Sequence, residues 1–70
     1  MDLTGKQIRI TNTATNAMPA STVIFVDVMQ EVAPGARQVV ASYELHFDEM
    51  YGGPSDGALI AAINEKLSAL

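Results

Sequence analysis

Residues 21–50 read STVIFVDVMQEVAPGARQVVASYELHFDEM, and the proline–glycine pair at 34–35 decides how this stretch folds. Two strand-like runs flank the pair, Ser21 to Val32 and Arg37 to Met50, both rich in β-branched and aromatic residues. Proline pre-sets φ at the first central position of a tight turn, and glycine accepts positive φ at the second. With Ala33 opposite Ala36, the pairs become Val28 with Ala41, Val26 with Tyr43, Ile24 with Leu45 and Thr22 with Phe47. Apolar meets apolar on that face, and a slip of one residue would turn one strand's set to the wrong side. A type II turn matches hairpin twist less well than the primed types, so a bulge or a longer loop is the alternative here.

Working outward, Lys6 to Thr13 (KQIRITNT) alternates, with Ile8 and Ile10 on one side and Gln7, Arg9 and Thr11 on the other. That is the period of a half-buried strand. Ala14 to Ala20 is small and polar, contains Pro19, and reads as a connecting loop. On the other side, Tyr51 to Gly57 (YGGPSDG) is a loop ending in helix-start chemistry, with Ser55 or Asp56 as the cap. A helix over Gly57 to Leu70 places Leu59, Ile60, Ile63, Leu67 and Leu70 on one stripe. The expected fold is α+β: one domain over residues 1–70, a three-stranded antiparallel sheet in β-β-β-α order, and one C-terminal amphipathic helix on one face. That face comprises Ile8, Ile10, Ile24, Val26, Val28, Val39, Tyr43, Leu45 and Phe47; the position of the first strand within the sheet stays open.

Composition narrows the function classes. Of 70 residues, 49% are hydrophobic and 17% charged, which supports a packed core rather than disorder. The chain has no cysteine and one histidine, which excludes disulfide staples, thiolate metal sites and a multi-histidine zinc centre within one chain. The net charge is −4 and the four cations (Lys6, Arg9, Arg37, Lys66) are scattered, so nucleic acid is not an expected partner. The opening MDLTGKQIRI lacks a signal-peptide layout and no apolar run reaches membrane-spanning length, so the expected location is the cytoplasm, or a virion built there. A domain this small without staples depends on an idealised core or on self-association.

The register leaves a second face. Val23, Phe25, Asp27, Met29 and Glu31 lie on it from one strand, and Gln38, Val40, Ser42, Glu44, His46 and Asp48 from the next. Its apolar members are edged by carboxylates, the pattern of a docking surface, although β-propensity alone also places valine and phenylalanine on strands. The expected partner interface is Val23, Phe25, Asp27, Met29, Val40, Glu44 and His46. Glu44, His46 and Asp48, with Asp27 nearby, are the one set resembling metal ligands, but alternate residues on a strand stand about 7 Å apart, wide for chelation. No serine or threonine has a local nucleophile signature, and Gly52-Gly53 lacks the lysine of a phosphate cradle. The expectation is therefore a non-catalytic interaction module without metal or cofactor. It assembles with copies of itself through its sheet, as an oligomeric scaffold or a viral or phage structural or accessory component. The alternative is an acidic inhibitor or adaptor that steers onto a basic host surface through Asp27, Glu31, Glu44, Asp48 and Glu49.

Overall fold

Alternation of apolar and polar residues over three successive runs, followed by an i, i+4 apolar spacing, builds the architecture of the computed structural model, which describes all residues from Met1 to Leu70. Strands β1 (Lys6–Ala17), β2 (Ala20–Ala33) and β3 (Ala36–Phe47) form an antiparallel sheet, and helix α1 (Gly57–Ser68) follows. The strand order is β1-β2-β3, so β2 is central and β1 and β3 are both open edges. The fold is the expected α+β, β-β-β-α arrangement.

The central register is the one the Pro34-Gly35 turn predicts. Thr22 pairs with Phe47, Ile24 with Leu45, Val26 with Tyr43, Val28 with Ala41 and Ala33 with Ala36. Gly35 has φ of 76°, the value that the third residue of a type II turn requires. The twist mismatch of that turn is absorbed by two compensating bulges. Val32 is an extra residue on β2 and Val40 an extra residue on β3, so the register slips by one between them and is then restored.

Ile24, Val26, Val28 and Leu45 from the sheet and Leu59, Ile63 and Leu67 from the helix form the buried core. Ile8, Ile10, Tyr43, Phe47 and Tyr51 pack around it. Asp56 caps α1, accepting from the Ala58 N–H at 2.9 Å, and its second carboxylate oxygen accepts from the Gly52 N–H at 2.8 Å. These two backbone donors hold the Asp56 carboxyl below its ordinary pKa. One aspartate thus starts the helix and anchors the preceding loop. Thr22 adds a second tether across the same end of the sheet, its hydroxyl donating to the Glu49 carbonyl at 2.6 Å.

Five expectations need correction. Ala14 to Ala20 is not a connecting loop: β1 runs on through Ala17, and Met18-Pro19, joined by a cis peptide bond, closes directly into β2. This stretch pairs residue for residue, Thr13 with Ile24 and Thr15 with Thr22, but its Ala and Asn residues carry no apolar alternation to signal a strand. The third strand stops at Phe47 rather than Met50, and the helix at Ser68 rather than Leu70. Ile60 and Leu70 are exposed rather than in the core, because a 12-residue helix on a three-stranded sheet buries only its innermost line, Leu59, Ile63 and Leu67. Val39 leaves the helix-facing set and becomes the cross-strand partner of Met29, because Val40 is the bulge residue.

Candidate functional site

Away from the helix, the sheet presents an uncovered face whose composition follows from the pairing. Cross-strand partners share a face, so the residues opposite the alternation of Ile24, Val26 and Val28 line up in rows. One row is Ala14, Val23 and His46; the next is Asn12, Phe25 and Glu44. The central row is Arg9, Asp27 and Ser42, and beyond it lie Gln7, Met29 and Val39, then Glu31 with Arg37. Val23 and Met29 are half-buried, while Phe25 is 38% and Val39 43% exposed.

The central row is cross-linked. The Arg9 guanidinium donates to Asp27 Oδ2 at 2.9 Å, and the Ser42 hydroxyl donates to Asp27 Oδ1 at 2.7 Å. Those two bonds, Arg9 first, hold the Asp27 carboxyl below its ordinary pKa. Next to it, His46 Nε2 lies 3.2 Å from Glu44 Oε2. Asp27 and Arg9 form the one ion pair between full charges on this face, while Glu31 stands opposite Arg37 on the neighbouring strand and Glu44 lies beside the His46 imidazole. The other five carboxylates, Asp2, Asp48, Glu49, Asp56 and Glu65, belong to the loops and helix, with only Lys6 and Lys66 to offset them. The net negative charge of the chain therefore lies outside the three strands.

Of the sequence-predicted interface residues, Val23, Phe25, Asp27, Met29, Glu44 and His46 lie together on this face. Val40 does not take the predicted place opposite Met29; Val39 does, for the bulge reason given above. Arg9 and Ser42 were not among the predicted set. Arg9 alternates with Ile8 and Ile10, so it reaches this face once β1 is known to border β2. The wide spacing argued against chelation by Glu44, His46 and Asp48, and no three His, Asp or Glu side chains converge closely enough to hold a metal ion.

A second concavity, of about 470 Å³, lies between β1 and α1, where Ile8, Ile10, Ile60 and Ile63 meet Lys6 and Asn64. It accounts for the exposure of Ile60, which lines its wall instead of entering the core. No helix is long and apolar enough to cross a membrane. No family model, curated protein or solved structure matches this chain.

Proposed function

We propose that this chain is a non-catalytic assembly module that associates with copies of itself through the uncovered face of its sheet. The observation that carries this reading is the Arg9–Asp27–Ser42 cross-link at the centre of a face that also exposes Phe25 and Val39. Bringing two copies of an unpaired acidic face together would set like charges against one another at close range. Here Arg9 and Ser42 already satisfy Asp27, so burying the row leaves no lone carboxylate. The helix and loops carry the excess carboxylates, whose charge favours solubility of the assembled form. A structural or accessory role in a repeated assembly, such as an oligomeric scaffold or a viral or phage particle, is the setting that suits such a module.

The alternative, an acidic adaptor for a basic host surface, draws on Asp27, Glu31, Glu44, Asp48 and Glu49. Asp27 is paired with Arg9 and Glu31 stands opposite Arg37 on the neighbouring strand, which leaves less free negative charge for steering. Salt separates the two readings: steered association weakens as ionic strength rises, whereas apolar self-assembly persists.

Sedimentation at micromolar concentration is the direct test. The parent chain is expected to run as an oligomer in both low and high salt, and the Phe25→Ser/Met29→Ser variant as a smaller species. A parent chain that sediments as a monomer with a cooperative melt overturns the proposal.

A further inference from the structure

The open edge of β3 has a readable hydrogen-bonding polarity. Thr11 donates its hydroxyl to the Phe25 carbonyl, so Phe25 directs its backbone groups toward β1. By alternation Ile24, Val26 and Val28 direct theirs toward β3, bonding to Leu45, Tyr43 and Ala41. Ser42, Glu44 and His46 must then point their N–H and C=O groups away from the sheet. A second contact is in keeping with this: the His46 carbonyl accepts from Lys66 Nζ of the helix, which lies 4.8 Å from the centre of the Phe47 ring. No strand lies beyond β3, and Ser42 and Glu44 are exposed.

The two open edges differ. β1 carries Lys6 and Arg9 and is interrupted by a bulge at Thr11, both devices that blunt an edge. From Ala41 to Phe47, β3 is regular and contains no glycine, proline, lysine or bulge. Only the His46 carbonyl, at the end of the run, is occupied. Ser42 and Glu44 are left as a short unoccupied ladder, with the Glu44 carboxylate as its one blunting charge.

We infer that the β3 edge pairs antiparallel with β3 of a second copy, about a two-fold axis at Tyr43, to give a continuous six-stranded sheet. This inference rests on the proposal that the chain meets copies of itself, and it names the unit from which the assembly is built. In that register Ser42 faces Glu44 of the second copy, and the two chains exchange about four backbone hydrogen bonds. No charge faces its like; an axis at Glu44 would oppose two carboxylates.

Area supplies the second argument. Strand spacing and rise make the uncovered face between Ser21 and Glu31 roughly 14 by 33 Å, on the order of 500 Å². A stable interface takes about 800 Å² per partner. Edge pairing keeps both helices on one side and joins the two uncovered faces into one, on the order of 1,000 Å². Two such pairs stacked face to face form a closed tetramer with all four helices outside.

Amide hydrogen exchange by NMR, combined with sedimentation, tests the inference. The parent is expected as a tetramer with the Ser42 and Glu44 amides protected in proportion to concentration. Phe25→Ser/Met29→Ser is expected to leave a dimer that retains this protection. Glu44→Pro removes an outward N–H and no bond within the sheet, so it is expected to keep its circular dichroism and lose the edge pair. If the parent is oligomeric while the Ser42 and Glu44 amides exchange freely, edge pairing is wrong and face association stands. If those amides are protected equally in dilute monomer, the protection is internal and the inference also falls. If the parent is a monomer with free exchange, both readings fall together.

Discussion

Thr13 sits on β1 opposite Ile24, on the side of the sheet that the helix covers, and its hydroxyl is buried with no hydrogen-bond partner in the chain. Leaving a buried hydroxyl unsatisfied costs about 1–3 kcal/mol, whereas an apolar group of the same shape carries no such penalty. Valine is that group, and it is equally at home in a strand. Thr13→Val is expected to stabilise the chain by about 1 kcal/mol, read as a higher midpoint and unchanged slope in urea denaturation. Thr22 is the contrasting case: it too lies on the covered side, but its hydroxyl is spoken for by the Glu49 carbonyl. Removing that donor leaves the carbonyl without its bond, so the same substitution has no reason to help there.

At the level of elements, one helix line does most of the covering. Leu59, Ile63 and Leu67 are 2% exposed or less, while Ile60, from the same predicted stripe, is 44% exposed and lines the groove beside β1. Ile63→Ala is accordingly expected to cost about 2–5 kcal/mol and Ile60→Ala less than about 1 kcal/mol, measured by the same denaturation. The sequence stripe could not separate these two, because periodicity reports an arc and the width of the sheet beneath it sets how much is buried. The hairpin shows the same division. Pairing across the buried positions was legible from Pro34-Gly35, since Val28 with Ala41 and Ile24 with Leu45 match in character. The turn's twist mismatch pointed to a bulge, but its place was not legible, because two adjacent valines, Val39 and Val40, fit either face equally well. Loss of alternation hid the second half of β1 for a related reason: Ala14, Asn16 and Ala17 are too small or too polar to mark a face. Six of the seven residues of the expected set therefore share the uncovered face and Val40 is displaced, while Arg9 went unassigned because the sequence left open which strand β1 borders.

For the whole molecule, 8 of 70 residues are buried in a body measuring 44 × 21 × 19 Å. A 12-residue helix is about 18 Å long and covers less than half of that length. Every residue from Gln30 to Val40 is exposed, and so is the opposite hairpin end from Ala14 to Ala20. A core of this size sits near the lower limit for independent stability, so if folded copies associate as proposed, their contacts contribute a visible share. Copies that bind only the folded form stabilise it by mass action, and the melting temperature then depends on concentration. About a hundredfold increase in protein concentration is expected to raise Tm by about 5–10 °C, followed by circular dichroism in a reversible melt. The Phe25→Ser/Met29→Ser variant, restricted to its edge contact, is expected to show a lower Tm and a shallower dependence. A Tm constant across the range in the parent chain means that folding draws nothing from other copies. The seven apolar core residues would then carry the fold alone, and the paired charges of the uncovered face would be a property of the monomer surface only.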